Sequence, residues 1–216
     1  MTSLAKHLAN KFNPLNLLLP SHCLICGKNT DGENICSDCK EKIRYLEYPL
    51  IEHKKNIYFY AITEYKETMK KSIKILKFRK RKIVAKDLAN IIIDFVSKEK
   101  MQFEHVGFVP MTSPETRERG FNQTYLMAKE ISKTNKIPIL KGLKKTKETK
   151  KQVGLSKKER KENLKSAFKM TNKIEGNIVI IDDVYTTGNT ATEITKAIAR
   201  KTKSNIYFIA LSRKIN

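Results

Sequence analysis

The sequence predicts an α/β protein in which a parallel sheet is flanked by helices and a small cysteine-bearing segment comes first. Runs of β-forming residues alternate with stretches of helical apolar spacing along most of the chain. Ile178 to Ile181 is continuously apolar, which is typical of a strand buried on both faces. All 4 cysteines lie near the N-terminus. These observations separate a small N-terminal unit from a larger α/β domain.

The cysteines form two C-x2-C pairs, and each pair can present two thiolates to one ion. Two redox-active C-x-x-C pairs are the alternative interpretation. A closed set of four thiolates is typical of structural zinc, so we expect a zinc ribbon over residues 21–50, after a lead-in over residues 1–20. The expected Zn²⁺ ligands are Cys23, Cys26, Cys36 and Cys39.

The main domain is expected over residues 55–216. The sequence of its first half predicts alternating strands and helices. Ile57 to Thr63 is rich in β-forming residues and predicts the first strand. Met69, Ile73 and Leu76 recur at helical spacing and predict a helix from Thr68 to Phe78. The other elements predicted in this half are a helix from Ile83 to Val96 and a strand from Val106 to Val109. Before this domain, a short helix is predicted from Ser37 to about Leu46.

The second half continues the alternation. Lys144 to about Glu159 has no apolar rhythm and predicts a mobile basic loop. Ile178 to Ile181 predicts a central strand, and the apolar spacing after it predicts a helix. The remaining predicted elements are a helix from Phe121 to about Thr134, a strand from Ile137 to Leu140, a helix from about Asn189 to Lys201 and a strand from Asn205 to Leu211.

The charge balance predicts a polyanionic partner. Lys and Arg total 44 against 22 Asp and Glu, a formal net charge of +22. Nucleic acid, a phosphorylated metabolite and an anionic membrane surface all fit such an excess. Hydrophobic residues make up 40% of the chain, which excludes wholesale disorder. No apolar run approaches the roughly 18–20 residues of a membrane span, and Leu15 to Leu19 is too short for a secretory signal. We therefore expect a cytoplasmic protein without a membrane span.

The segment VIIDDVYTTGNT, from Val179 to Thr190, carries the strongest chemical signal. Asp182 and Asp183 follow the buried strand, where open α/β sheets bind their ligands. The backbone N–H groups of the following turn and the helix dipole favour one phosphate, so the segment fits a ribose 5-phosphate unit. An ordinary strand–turn–helix is the alternative. The turn consists of Thr186, Thr187, Gly188, Asn189 and Thr190.

This segment resembles the phosphoribosyl-pyrophosphate (PRPP) motif of type I phosphoribosyltransferases, except at Tyr185, where most members carry an aliphatic residue. VPMTSPETRERGFNQ, from Val109 to Gln123, the basic loop and the cysteine ribbon are similar to the ComF family of bacterial competence proteins. The most distinctive piece is the string R-G-F-N-Q, from Arg119 to Gln123. The resemblance runs from about Pro20 to Arg213 and implies a type I phosphoribosyltransferase-like sheet.

The resemblance also implies roles for individual residues. Asp182 and Asp183 would contact the ribose hydroxyls and stabilise the positive charge that develops as pyrophosphate leaves. The turn residues Thr186 to Thr190 would hold the 5′-phosphate, and Mg²⁺ would assist at the pyrophosphate. The residues expected at the pyrophosphate are Met111, Thr112, Ser113, Lys77, Arg79 and Arg119.

Two functions remain open. The first is a ComF-type competence protein that binds PRPP with Mg²⁺, acts in DNA uptake, handles single-stranded DNA in natural transformation and has other competence proteins as partners. The second is a phosphoribosyltransferase of nucleotide or amine metabolism with no DNA role. The acceptor, and whether transferase activity is retained, stay open.

Charge favours the first function, because residues 66–86 carry 10 Lys and Arg against one acid and residues 141–165 carry 11 against three. A genome of low GC content would also enrich lysine. Family members tend to carry arginine at Lys145 and Lys147, and lysine lacks the bidentate phosphate geometry of arginine. The aromatic residues Tyr65, Phe78 and Phe121 either stack on bases or belong to the core. The candidate nucleic-acid contacts are Lys70, Lys74, Arg79, Lys80, Arg81, Lys145 and Lys147.

Overall fold

The computed structural model describes residues 22–147 and 162–215. Its strands are β1 (Leu50–Lys54), β2 (Ile57–Glu64), β3 (His105–Phe108), β4 (Leu143–Lys145), β5 (Phe168–Met170), β6 (Ile178–Tyr185) and β7 (Ile206–Arg213). Its helices are α1 (Ser37–Glu41), α2 (Glu67–Phe78), α3 (Val84–Lys98), α4 (Ser113–Arg119), α5 (Gln123–Asn135) and α6 (Asn189–Ala199). The predicted lead-in over residues 1–20 lies outside the described residues.

The main sheet has five strands in the order β1-β2-β7-β6-β3. The pairs β2–β7, β7–β6 and β6–β3 are parallel, which confirms the predicted α/β fold with a parallel sheet. The edge strand β1 is antiparallel to β2 and was not predicted. Its residues are mostly exposed, so it lacks the alternation that marks a half-buried strand. Lys55 turns the chain between them with a φ of 54°, although the turn contains no glycine.

Two apolar cores cover the two faces of this sheet. Val179 and Ile181 of β6 belong to the core that includes α2, α3 and α5. Ile178 and Ile180 belong to the core that includes β5 and α6. Successive side chains of a strand point to opposite faces, so β6 is buried on both sides, as its apolar run predicts. Within the described ranges, no helix combines the length and apolarity needed to cross a membrane.

The cysteine-bearing segment packs on the main domain. Its buried residues Cys23, Ile35 and Cys39 belong to the same core as α2 and α3. Asn34 Nδ2 also donates a hydrogen bond to Asp87 Oδ2 of α3 at 2.9 Å. Structural changes in the cysteine-bearing segment should therefore affect the packing of α3. The boundaries that separate a ribbon over residues 21–50 from a domain over residues 55–216 remain a prediction.

The four cysteine sulfur atoms have the spacing of a tetrahedral zinc site. All four lie within 4.8 Å of one another. Cys26 Sγ and Cys36 Sγ are 3.7 Å apart, close to the edge of about 3.8 Å expected for a tetrahedron with Zn–S bonds of about 2.3 Å. Burial raises the pKa of Cys23, but backbone N–H groups, including those of Cys36 and Ile25 at 3.4 Å, outweigh it and lower the pKa to about 6. The cluster fits one structural Zn²⁺.

Several predicted elements differ in the structure. The predicted helix from Ser37 to about Leu46 ends at Glu41, because Tyr45 forms a bridge with Thr63. The predicted strand from Ile137 to Leu140 is reduced to one bridge between Val106 and Ile139. Pro138, in the middle of that segment, has no N–H with which to extend the ladder.

The first residues of the predicted basic loop belong to a strand. Leu143–Lys145 forms the strand β4, which pairs antiparallel with β5. Of the predicted loop, Lys144 and Lys145 belong to this strand and pair with Lys169 and Phe168. Most of the predicted loop lies outside the described residues. The helix α4 follows β3 directly and was not predicted, because it is short and has no buried residue.

Replacing Cys26 with serine should remove most of the bound zinc. Cys26 is the exposed member of the set, so the substitution disturbs packing least while removing one ligand of a closed site. We expect about one zinc per chain in the wild type, measured by elemental analysis, and clear loss in Cys26→Ser and Cys23→Ser. Ser37→Ala, in the same segment, should retain the metal. Unchanged stoichiometry in both cysteine variants would contradict the assignment.

Candidate ribose-phosphate site

The two acidic residues lie in the last half of β6. The sequence predicts that both leave the strand together and face one ligand space. Instead β6 continues to Tyr185, with Val184 and Tyr185 paired to Ser212 and Arg213 of β7. The alternation along the strand directs Asp182 toward the face covered by α6 and Asp183 toward the face covered by α2 and α5. The two carboxyl groups therefore have different surroundings, and their shared contact with one ligand stays a prediction.

Asp183 is held by groups from two helices. Its carboxylate oxygen Oδ2 lies 2.7 Å from Lys77 Nζ of α2. The same oxygen accepts a hydrogen bond of 2.7 Å from Gln123 Nε2 of α5. Arg119 Nη1 of α4 in turn donates to Gln123 Oε1 at 2.7 Å. Asp183 is 5% exposed, so its charge is buried but compensated.

The string from Arg119 to Gln123 ends one helix and begins the next. Gly120 ends α4 in the left-handed conformation, with a φ of 85° that disfavours other residues. Asn122 caps α5 by accepting hydrogen bonds from the backbone N–H groups of Thr124 and Tyr125. Asn122 Nδ2 also donates to the carbonyl of Val109 at 2.9 Å. These contacts fix the start of α5 at the end of β3 and direct Gln123 to Asp183.

Gln123 is the site residue that the sequence reasoning missed. The signal for it was present, since it closes the distinctive string R-G-F-N-Q. Gln123 is buried, with 7% of its surface exposed. Its side-chain amide joins Arg119 to Asp183 through two hydrogen bonds. A glutamine can do this because one end of its amide accepts and the other donates.

The carboxyl group of Asp182 has a raised pKa. Burial raises its pKa to about 7, and the adjacent charge of Asp183 adds to the rise. The backbone N–H of Asp183 donates to its Oδ1 at 2.8 Å and opposes the rise, as does the more distant charge of Lys77. Asp182 forms no ion pair with any described residue. The two adjacent carboxyl groups are thus one ion-paired anion and one group that titrates near neutral pH.

The turn after β6 has the features of an anion-binding site. Gly188 adopts a φ of 75°, which disfavours other residues, and a Cβ there would press against the Tyr185 hydroxyl. Asn189 opens α6, and its buried side-chain nitrogen Nδ2 has no partner among the described residues. A buried donor without a partner is costly unless a ligand satisfies it. Together with the N–H groups at the start of an 11-residue helix, it fits a phosphate.

The residues expected at the pyrophosphate fall into two groups in the structure. Lys77 and Arg119 both belong to the cluster around Asp183. Thr112 is engaged as the N-cap of α4, because its N–H and hydroxyl bond to Glu115 at 2.7 and 3.3 Å. Met111 precedes this cap, and Ser113 is the first residue of the helix.

Lys145 is not a free cation. Its Nζ lies 2.5 Å from Glu115 Oε1, and its side chain is only 9% exposed. Its expected contact with nucleic acid is therefore contradicted by burial and by pairing. The other candidate nucleic-acid contacts are exposed, namely Lys70, Lys74, Arg79, Lys80, Arg81 and Lys147.

The donor groups at this site are compatible with Mg²⁺. Carboxylate oxygens are among its preferred ligands, and the ion commonly uses one or two of them together with substrate phosphates. Asp182 offers a carboxylate that is not engaged by a described cation, whereas Asp183 is occupied by Lys77. Of the two acids, Asp182 therefore has the carboxylate that is free of an ion pair with a described residue.

Comparison with known proteins identifies the N-terminal segment first. Residues 14–50 match the model of a double zinc ribbon domain. All four cysteines fall within this match, which agrees with the tetrahedral spacing of their sulfur atoms. The segment is a zinc ribbon.

Similarity to curated proteins extends over most of the chain. The chain is 28% identical to "Competence protein F" of Haemophilus influenzae, covering 88% of this chain and 96% of that protein. It is 28% identical to "Competence protein ComFC" of Bacillus subtilis, covering 84% of this chain and 73% of that protein. It is also 28% identical to "DNA utilization protein YhgH" of Escherichia coli K12, covering 72% of this chain and 71% of that protein.

A solved adenine phosphoribosyltransferase from Trypanosoma brucei is similar at a TM-score of 0.43 and 11% identity, covering 79% of this chain and 87% of that chain. Because this TM-score is low, the fold is described by the strand order given above and not by this similarity. The sequence similarities and the zinc ribbon are more specific. By these, the chain is similar to competence and DNA utilization proteins over most of its length, and its zinc ribbon precedes an α/β domain.

Proposed function

We propose that this protein binds PRPP or a related ribose phosphate, with Mg²⁺, at the carboxyl end of β6. We propose further that it takes part in DNA uptake and in the handling of single-stranded DNA during natural transformation. The names of its relatives, which are competence and DNA utilization proteins, support the second part. The convergence of Lys77 and Arg119 on Asp183 is the observation that carries the first part.

That cluster suits a ligand with hydroxyl groups next to a charged leaving group. A ribose hydroxyl would donate to Asp183 in place of Lys77, because a hydroxyl and an ammonium offer the same kind of donor to the carboxylate. Lys77 would then be available to an anionic pyrophosphate. Arg119 carries a second cation, and its planar guanidinium can bind phosphate oxygens in bidentate fashion.

The turn at residues 186–190 would take the 5′-phosphate. Asn189 Nδ2 would gain the acceptor that it lacks among the described residues. The N–H groups at the start of α6 would add donors, and the helix dipole favours the negative charge. Mg²⁺, when bound, would neutralise the charge that accumulates on the pyrophosphate. Met111, Thr112 and Ser113 remain proposed pyrophosphate contacts, although the cap formed by Thr112 would have to open.

The proposed contact with single-stranded DNA is supported by exposed cations. We define the α2 cationic surface as the group Lys70, Lys74, Arg79, Lys80 and Arg81. All five side chains are exposed, and none forms an ion pair with a described carboxylate. Such a group neutralises phosphates along a strand and releases counterions, which makes binding dependent on salt.

Replacing Asp183 with asparagine should abolish PRPP binding in the presence of Mg²⁺, measured by calorimetry. The amide keeps the size of the side chain but loses the charge that a ribose hydroxyl would contact. The sequence alone predicts that replacing Asp182 and Asp183 together with asparagine leaves the fold intact. The structure instead predicts a lower melting temperature, because Lys77 loses its partner.

The double variant Lys77→Met with Asp183→Asn removes both charges and separates binding from stability. Asp94→Asn changes an exposed acid of α3 by the same charge and should bind PRPP normally. PRPP affinity equal to wild type in both Asp183 variants would refute the ribose-reading role.

Asp182→Asn should stabilise the protein at neutral pH but not at acid pH. A carboxyl group whose pKa rises from 3.8 to about 7 on folding loses stability as pH increases between those values, because the unfolded chain ionises first. The variant cannot ionise, so its advantage in unfolding free energy should be small near pH 4, grow toward pH 7 and then level off. Urea unfolding across this range measures it. A constant difference between the proteins would contradict the raised pKa.

Replacing Lys70, Lys74 and Lys80 together with glutamine should weaken single-stranded DNA binding and flatten its salt dependence. The slope of log affinity against log salt should fall by about 0.7 for each phosphate contact removed, or roughly two units for three contacts. Fluorescence anisotropy across a salt series measures the slope, and PRPP binding should change little. The matched control replaces the exposed lysines Lys98, Lys129 and Lys133. An unchanged slope in the first variant would show that DNA binds elsewhere or not at all.

A further inference from the structure

Phe78 is an exposed aromatic residue whose position the core does not explain. It is the last residue of α2, and 70% of its surface is exposed. The apolar residues that attach α2 to the core, including Met69, Ile73 and Leu76, are each 1% exposed. Phenylalanine usually contributes by burying a large apolar area. The packing of α2 therefore does not depend on Phe78.

Cationic residues flank Phe78 in the sequence. Lys74 precedes it by one helical turn, and Arg79, Lys80 and Arg81 follow it directly. These four residues belong to the α2 cationic surface. The Lys80 ammonium lies close to Gly120 at the end of α4, so the surface continues toward Arg119. Phe78 thus lies between exposed cationic residues along the chain, and most of its own surface is open to solvent.

The other aromatic candidates for stacking are already engaged. Phe121 is 7% exposed, and Lys82 Nζ lies 5.4 Å from the centre of its ring. Tyr65 is partly buried and packs against the core of α2, α3 and α5. Neither ring can receive a base without leaving its present contacts. Among the three, Phe78 alone offers a free face.

From this geometry we infer that Phe78 stacks on a base of single-stranded DNA whose phosphates lie on the α2 cationic surface. The inference rests on the DNA part of the proposed function and assigns the residue that contacts the bases. Single-strand binders combine a cationic track with aromatic rings, and such stacking tolerates any base. In a duplex the base faces are covered by their neighbours, so the ring would find no partner there.

An anionic membrane is the alternative partner for a cationic surface with an exposed apolar side chain. Ile83, which is 46% exposed, lies near Phe78 in sequence. A helix that lies on a membrane inserts an apolar face. The apolar face of α2 is used by the core, and lysines such as Lys70 and Lys74 occupy its outer side. This arrangement favours the nucleic acid.

The test compares two labelled strands of equal length, an oligothymidylate and the same backbone without bases, with the full-length zinc-loaded protein. Wild type should prefer the oligothymidylate. Phe78→Ala should weaken that binding on the order of 10-fold and leave the affinity for the abasic strand unchanged. The salt slope should stay the same, because no phosphate contact is lost. Phe78→Leu should behave like Phe78→Ala, and Phe78→Trp should retain the affinity.

The matched control is Tyr48→Ala, since Tyr48 is 77% exposed and lies outside the cationic surface. It should bind both strands like wild type. Equal affinity of Phe78→Ala and wild type for the oligothymidylate, or an equal loss on both strands, would overturn the stacking role while leaving DNA binding intact. Failure of wild type to bind either strand would instead refute the DNA part of the proposed function, and the stacking role with it. Binding to phosphatidylserine vesicles that requires Phe78, without an effect on the oligothymidylate, would assign the ring to a membrane.

Discussion

The ion pair between Lys77 and Asp183 is the interaction on which the arrangement of the site depends. Asp183 lies in the buried central strand and is 5% exposed, so its charge requires a partner. Lys77 supplies the charge, and Gln123 supplies a hydrogen bond to the same oxygen. Because Lys77 comes from α2 and Gln123 from α5, the ion pair and the hydrogen bond together attach both helices to the carboxyl end of β6. The strand itself is specified by its apolar run.

This constraint gives α2 two roles. Its inner side packs on the core and carries Lys77 to Asp183, while its outer side carries exposed lysines. Phe78 follows Lys77 in sequence, so the proposed ribose-phosphate site and the proposed strand-binding surface meet at one helix end. The zinc ribbon packs on the same core as α2 and α3. Its metal therefore stabilises the region from which both surfaces are built.

The sequence was sufficient where the signal is local. The zinc ligands follow from the spacing of four cysteines, β6 from its continuous apolar run, and α2 and α6 from apolar periodicity. Contacts between distant segments were not predictable, because Gln123 and Asp183 are 60 residues apart and meet only in the folded chain. Charge was equally ambiguous. Lys145 looks like Lys147 in the sequence, yet Lys145 is buried against Glu115, and Lys147 is exposed. The edge strand β1 escaped prediction because its residues are mostly exposed.

The most direct test of the central claim is a crystal structure of the protein soaked with PRPP and Mg²⁺. We predict a phosphate at the turn of residues 186–190, within hydrogen-bond distance of Asn189 Nδ2. We also predict that the ribose hydroxyls contact Asp183 and that Lys77 moves from this carboxylate to the pyrophosphate. A ligand bound elsewhere, with the pair of Lys77 and Asp183 unchanged and the turn empty, would contradict the account.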